Sequence, residues 1–331
     1  MNRIYKLFTL FAVCFMATNV VLGQVSGSGK PIGEIFADFH QKLDNSSAKT
    51  GFEINRAYVG YSYVLDKNFT ATVVANVAGS PDDMKGGSTR RRYAFLRYAS
   101  IGWSNEKLNL SFGLTETRIY YHQQRWWGKR YLFNAMQSTN GHGDVADLGL
   151  VVDYKFSNIL SGDIAVMNGE GYLEKQLDDN VKTSLGFTIT PNSSFTFRVY
   201  GDHYRVPGLN QFNGTAFAGY KNKVFYVGAE GSYKTNVDGI SGHDSWAIST
   251  TNGVYLTNKD ELFVRFDYLK SFTSSGPIQR WDLRDGTFTI IGLQHTISPN
   301  IRFALNYQGT HRYSDLMENR NFIYLNAHFK F

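Results

Sequence analysis

The residues best placed to act on a solute lie in one segment, positions 117–145, where basic and aromatic side chains are concentrated against a single carboxylate, Asp144. The basic members are Arg118, Arg125, Lys129 and Arg130, and the aromatic members are Tyr120, Tyr121, Trp126, Trp127, Tyr131 and Phe133. In a narrow passage that excludes bulk water, such cations would favour anions and repel cations. We therefore expect the four basic residues to form a ring at a constriction, with His122, Trp126 and Trp127 beside them.

Other roles for this segment are also open. The cations could pair with carboxylates inside the folded protein, or point outward and bind an anionic surface. His122 would add a charge that depends on pH. Aromatic rings next to basic groups would equally suit a surface on which sugars stack. A long segment of this composition is in any case expected to be ordered.

The elements that must position this segment are strands, because apolar residues recur at every second position from about residue 33 onward. Phe69, Ala71 and Val73 share one face of one such stretch, with threonines between them. The alternation predicts sixteen strands at about 33–43, 52–65, 69–78, 92–103, 108–116, 146–156, 160–168, 180–190, 195–204, 213–220, 223–234, 243–256, 261–271, 286–297, 301–310 and 321–331. No stretch shows a clear helical period.

The connections between these strands alternate in length. Those after even-numbered strands are short, whereas those after odd-numbered strands are mostly longer, among them 205–212 and the longest, 117–145. This rhythm is typical of an all-β, transmembrane, antiparallel up-and-down β-barrel with short periplasmic turns and long external loops. It also explains why a chain with 42% apolar residues has a mean hydropathy of only −0.31.

A barrel of sixteen strands is too wide for side chains to fill, so its inner face should line water. Acidic residues such as Asp153, Glu230 and Asp267 are interspersed among the basic ones on this face. The basic residues expected to face the lumen are Arg56, Lys155, Lys182, Arg198, Arg265, Arg302 and Lys330. For Arg265 and Arg302, neutralisation by nearby acids is as plausible as solute binding.

Both ends of the chain carry features of export and assembly. Residues 1–23 have the basic start, apolar centre and small residues at Val21 and Gly23 that are typical of a cleaved signal peptide. Cleavage would remove Arg3 and Lys6 and lower the formal charge from +6 to +4. At the other end, Phe331 closes an alternating strand, as expected of an assembly signal. Residues 24–331 are therefore expected to form a single barrel.

Three short segments carry a resemblance to a known family. The stretches 127–131 (WGKRY), 146–149 (ADLG) and 168–172 (NGEGY) resemble motifs of outer-membrane general porins, including the phosphate-selective porin group. The resemblance implies a homotrimer in the outer membrane of a Gram-negative bacterium, with the third loop narrowing a pore. It further implies passive diffusion of small hydrophilic solutes, with a preference for anions such as phosphate. The implied partners are outer-membrane lipid, lipopolysaccharide and the barrel assembly machinery.

Two other functions are compatible with an exported barrel, namely an outer-membrane enzyme and a plugged structural or adhesion barrel. No nucleophile motif or paired-carboxylate site stands out, and the histidines lack the spacing of a metal site, so we predict no catalytic residue, metal or cofactor. A single Cys excludes a disulfide scaffold. The triplet at 90–92 (RRR) suits lipopolysaccharide, a neighbouring subunit or solvent better than nucleic acid. His142, between two glycines, is expected in a flexible turn.

Overall fold

The computed structural model describes residues 28–79, 92–206 and 208–331. The signal-peptide segment 1–23 and the first two arginines of the 90–92 triplet lie outside these residues. Sixteen antiparallel strands make up most of the described chain. They are β1 (Gly29–Lys42), β2 (Gly51–Val64), β3 (Phe69–Gly79), β4 (Arg92–Ser104), β5 (Leu108–Glu116), β6 (Ala146–Lys155), β7 (Leu160–Met167), β8 (Lys182–Ile189), β9 (Phe195–Val206), β10 (Leu209–Lys221), β11 (Phe225–Lys234), β12 (His243–Tyr255), β13 (Asp260–Thr273), β14 (Gly286–Ser298), β15 (Ile301–Arg312) and β16 (Arg320–Lys330).

Each strand pairs with its neighbours in sequence, and β1 pairs with β16 to close the sheet. The closing ladder runs from Glu34 opposite Lys330 to Lys42 opposite Phe322. Beyond it, the amide of Gly33 donates to the carbonyl of Phe331 at 3.2 Å, and the amide of Phe331 donates back at 3.0 Å. Closure leaves no open edge, so every strand has partners on both sides. The prediction of a sixteen-stranded up-and-down barrel is confirmed.

Alternation along the strands separates an apolar exterior from a polar lumen. Outward side chains are exposed and mostly apolar, as at Phe112 (66%) and Val59 (63%). Inward side chains include buried arginine, aspartate, asparagine and glutamine residues, among them Arg198, Arg265 and Asp267. A bilayer outside and water inside would satisfy both surfaces. In the described part of the chain, no helix has the length and hydrophobicity needed to cross a membrane.

Aromatic rings lie on the exterior near the strand ends with the short turns. Tyr61 stacks on Tyr63, and Tyr154 packs edge-on against Phe156 with ring centroids 4.9 Å apart. Rings at this level are typical of the aromatic girdles that flank an apolar band. The high aromatic content of the chain is thus partly used on the outer wall.

One sequence expectation about the connections was wrong. The connection between β9 and β10 was predicted to span 205–212, but the strands extend until Val206 pairs with Leu209, leaving only positions 207–208. Gly208 has a φ of 79°, which suits a tight turn. The segment 117–145 also contains two helices, α1 (Tyr121–Trp127) and α2 (Met136–Thr139). They have seven and four residues, too few to show a helical period in the sequence.

Candidate functional site: the pore constriction

The connection 117–145 joins β5 to β6 and packs inside the barrel. Its helix α1 ends at Gly128, whose left-handed backbone (φ 71°) turns the chain while its amide donates to the carbonyl of Gln124 at 3.0 Å. On either side of this turn the loop buries Trp127, Tyr131 and Leu132 against the barrel wall. The wall residues in this cluster include Tyr226, Phe263, Phe288 and Ile290. Burial of these large side chains explains why the loop folds inward instead of extending into solvent.

The two tryptophans of the loop act as anchors. The ring of Trp126 packs edge-on against Phe217 at 5.2 Å. It fills a socket left by the wall glycines Gly219 and Gly228, where a Cβ atom would lie 2.6 and 2.5 Å from the indole. The ring of Trp127 faces the guanidinium of Arg265 at 4.8 Å. Neither indole is therefore free to stack on a passing sugar.

Three of the four loop cations predicted to form a basic ring are paired with carboxylates. The first pair is bidentate: Nε and Nη2 of Arg118 each donate to one oxygen of Asp153 at 2.8 Å. Arg125 donates to Glu116 at 2.8 Å. The ammonium of Lys129 pairs with Glu261 in a buried contact and lies 3.1 Å from the hydroxyl of Tyr226. These pairs hold the loop to the wall, and they match the alternative of neutralisation by lumen carboxylates.

Arg130 differs from the other three. Its Nη1 donates to Gln124 at 2.7 Å and its Nη2 lies 3.3 Å from the hydroxyl of Tyr58, so both contacts are to neutral groups. Within the described residues it forms no ion pair. Its full charge therefore faces the lumen.

His122 does not add a charge near neutral pH. Burial, together with the guanidinium groups of Arg198 and Arg118, lowers the pKa of His122 to about 3. Its ring packs edge-on against Tyr121 at 5.2 Å. The imidazole is therefore neutral over the pH range in which the sequence suggested a switch.

The predicted lumen-facing cations fall into two groups. Arg198 and Arg265 are neutralised and buried, because Arg198 pairs with Asp163 at 2.7 Å and Arg265 pairs with Asp267 at 2.6 Å. The second group has neutral partners: Arg56 donates to the Asn134 side chain at 3.0 Å, Lys182 to the Gly169 carbonyl at 3.2 Å, and Arg302 to the Gly128 carbonyl at 3.1 Å. Lys155 is exposed at the end of β6 with the short turns. The second group, Lys155 and Lys330, which is exposed at the end of β16, can present charge to a solute.

Arg97 is the important residue that the sequence analysis missed. Strict alternation places it on the outer face with Ala99 and Ile101, but the ladder between β3 and β4 shifts register at this point, with Val74 opposite Tyr98 and Ala75 opposite Leu96. This β-bulge turns Arg97 inward. The sequence did carry one signal of this inward position. An arginine at a position that alternation assigns to the lipid-facing side would cost free energy if it really faced lipid.

Arg97 sits among tyrosines and has unused hydrogen-bonding capacity. Its guanidinium carbon lies 5.5, 5.2 and 5.5 Å from the ring centroids of Tyr58, Tyr98 and Tyr172. The residue is 2% exposed, and its Nη1 has no hydrogen-bond partner. The buried Nη1 of Arg56 is also without a partner. Unpaired buried donors are rare in folded proteins, so each of these two guanidinium groups keeps a hydrogen-bonding position that the described residues do not fill.

Two water-accessible spaces adjoin at Arg97 and Arg130. The loop-side vestibule, at the end with the long connections, has a volume of about 550 Å³ and is lined by five basic residues and two acidic ones. The turn-side vestibule, at the opposite end, has a volume of about 440 Å³ and the same number of each. Arg97 and Arg130 line both spaces. The boundary between the vestibules therefore lies between the β4 wall and the inward loop, and its lining is basic.

Basic residues also line the rest of each vestibule. In the loop-side vestibule the residues are Arg56, Arg97, Arg130, Lys182 and Lys234, against Asp144 and Asp238. In the turn-side vestibule they are Arg97, Arg125, Arg130, Arg302 and Lys330, against Glu34 and Glu116. Glu116 is already paired with Arg125, and Glu34 lies 2.7 Å from Nε2 of His328. The net potential along the path is therefore positive.

His142 has a structural role that corrects the expectation of a flexible turn. The residue is 1% exposed, and its ring nitrogens lie 2.7 Å from the hydroxyl of Ser232 and 2.9 Å from that of Ser245. Burial lowers its pKa to about 3. Asn213 also bonds the His142 carbonyl, so the return arm of the loop is docked on the wall.

Comparison with known proteins places this architecture among bacterial outer-membrane barrels. No family model and no curated protein sequence matches the chain. The outer membrane channel DcaP of Acinetobacter baumannii superposes with a TM-score of 0.67 at 10% identity, over 93% of this chain and 99% of that one. The fold is shared.

Two further solved structures show the same likeness. An anion-selective porin from Comamonas acidovorans has a TM-score of 0.66 at 10% identity, covering 92% of this chain and all of the other. The trimer form of OmpT, an outer membrane protein of Vibrio cholerae, has a TM-score of 0.64 at 12% identity, covering 92% and 99%. At such low identity these structures establish the barrel fold of the present chain and nothing finer.

Proposed function

We propose that the protein is an outer-membrane porin, a water-filled channel for passive diffusion of small hydrophilic solutes that prefers anions. The apolar exterior and closed sheet suit a bilayer, and the fold is that of bacterial outer-membrane proteins. The anion-selective porin among the structural neighbours supports the preference by analogy alone. A homotrimer is proposed on the same footing, from the trimer form of OmpT.

The observation that carries the proposal is the meeting of the two vestibules at Arg97 and Arg130, with Arg56 lining the loop side. None of these three arginines is ion-paired in the part of the chain that the structure describes. A permeating anion would gain Coulomb energy at each of them, and a cation would lose it. Phosphate-like oxyanions suit guanidinium donors particularly well, because the donors can bond two oxygens at once.

Conductance in planar bilayers tests the channel itself. Purified protein that migrates as a folded, heat-modifiable barrel should insert with stepwise increases in current. Absence of current from such protein at any voltage would instead indicate a plugged structural or adhesion barrel. A variant with a loosened loop, such as Lys129→Ala, then provides the control, since it should conduct if the loop is the plug.

A further inference from the structure

The outer wall of the barrel has a recess where β9, β10 and β11 carry glycine and alanine instead of large side chains. The register places these small residues next to one another on the outward face. They are Gly201, Gly214, Ala216, Ala218, Ala229 and Gly231. Around them lie larger apolar residues such as Phe197, Phe212 and Ile248. Two adjoining depressions of about 540 and 460 Å³ result.

The chain itself does not require these glycines. A Cβ atom at Gly201, Gly214 or Gly231 would meet nothing closer than 3.8 Å, and none of the three has a positive φ. Glycine weakens a strand unless a bulge or a close approach needs it. The recess therefore has the form of a space kept open for something outside the chain.

Outward glycines elsewhere on the wall are covered by the protein's own rings. A Cβ atom at Gly33 would lie 2.3 Å from the ring of Phe331, and one at Gly309 would lie 2.3 Å from the hydroxyl of Tyr307. Aromatic cover of this kind protects exposed strand glycines. Because Gly201, Gly214 and Gly231 have no such cover, the recess differs from the rest of the outer wall.

The end of the recess with the long connections carries positive charge. His203 lines the depression of about 540 Å³, and its ring lies 4.8 Å from that of Phe212. Arg205 is the next outward residue on β9 and is exposed. It forms no ion pair with any residue that the structure describes. The recess is thus apolar along its length and has an unpaired guanidinium at one end. This arrangement is complementary to an amphiphile with an acyl chain and an anionic head.

We infer that the recess binds an anionic phospholipid, with an acyl chain lying over the glycine and alanine floor and the net negative head group at Arg205. This inference rests on the proposed membrane location. A lipid chain can fill a concave surface, and its anionic head supplies the negative charge that the unpaired guanidinium of Arg205 lacks. Arginine suits the phosphate because its donors form a planar fork.

Native mass spectrometry of the detergent-purified protein tests the site, using phosphatidylglycerol and phosphatidylcholine with identical acyl chains as probes. The wild type should bind phosphatidylglycerol at least tenfold more tightly than phosphatidylcholine. Ala216→Phe, which fills the recess, should lower the affinity for both lipids at least tenfold. Ala71→Phe, at an outward position on β3, is the matched control and should change neither.

The charged head of the site is tested separately. Arg205→Gln should reduce phosphatidylglycerol binding to the level of phosphatidylcholine, while Lys270→Gln, an outward cation on β13, should have no effect. Ala218→Leu replaces Ala216→Phe if the larger residue prevents folding. Unchanged lipid binding in the filled variants would overturn the inference. It would also be overturned if the wild type bound no lipid and the filled variants lost oligomers, since the recess would then be a contact between subunits. Channel conductance measured on the same variants shows whether the proposed pore is intact in either case.

Discussion

Arg97 and Arg130 both contact Tyr58, one from a bulge in the barrel wall and the other from the inward loop. The guanidinium of Arg97 lies 5.5 Å from the Tyr58 ring, and Nη2 of Arg130 lies 3.3 Å from its hydroxyl. The two charges thus reach the same part of the lumen from opposite sides of the passage. Two like charges at one constriction are stabilised by a compensating anion or by high-dielectric water, and the proposed pore would provide access for either.

The contribution of Arg97 can be measured with Arg97→Gln. One unit charge about 4 Å from an ion in water contributes about 1 kcal/mol, or about fivefold in relative permeability. We therefore expect the chloride-to-potassium permeability ratio to fall roughly fivefold, as read from the zero-current potential in a salt gradient. Arg280→Gln, on an exposed loop outside both vestibules, should leave the ratio unchanged. Equal effects of the two substitutions would remove Arg97 from the constriction.

The docking of the inward loop should depend on the buried pair of Lys129 and Glu261. Lys129→Ala leaves the carboxylate buried and unpaired, which costs about 3–5 kcal/mol. The loop should then detach part of the time, giving noisier and larger single-channel currents. Lys129→Met combined with Glu261→Gln removes both charges and should restore quiet channels. If Lys129→Ala already gives single-channel currents without added noise, the pair does not hold the loop.

The docked loop should become less stable in acid through His142. Its pKa in the folded protein is about 3, below the ordinary value of about 6.5, so the detached loop binds the extra proton. The His142 contribution to docking stability is therefore complete above about pH 6.5, and its loss lowers the docking equilibrium constant by up to tenfold per pH unit as the pH falls toward 3. His122, on the same loop and also with a pKa of about 3, adds a second proton on detachment.

Current noise as a function of pH measures this effect. His142→Gln should lower the pH dependence of loop docking by about one proton, because this titrating group is gone. His295→Gln, at an exposed position on the turn side of the barrel, serves as the control and should keep the wild-type slope. A wild-type slope in His142→Gln would place the titrating group elsewhere.

The strands were predictable because a bilayer outside and water inside impose a period of two on each of them. Most predicted bounds lie within two residues of the observed ones, as for β5 at Leu108–Glu116 and β6 at Ala146–Lys155. The constriction was only partly predictable. Arg130 was chosen from local composition, but Arg97 depends on a bulge that breaks the period, and the partners of Lys129 and His142 are about a hundred residues away in sequence.

Sequence reasoning also overestimated the charge that the loop adds to the pore. A run of cations next to aromatic rings indicates affinity for anions, yet the nearest anions here are carboxylates on the facing strands. Which cations stay free depends on which wall carboxylates the folded loop reaches, as with Lys129 and Glu261 on β13. No local pattern contains that information.

The zero-current potential of the wild-type channel in a tenfold gradient of potassium chloride tests the central claim most directly. A basic constriction built from Arg56, Arg97 and Arg130 predicts a potential of the sign set by chloride, and added phosphate should reduce the chloride current by competing for the same donors. A potential of the sign set by potassium would contradict the account, whatever the conductance of the channel.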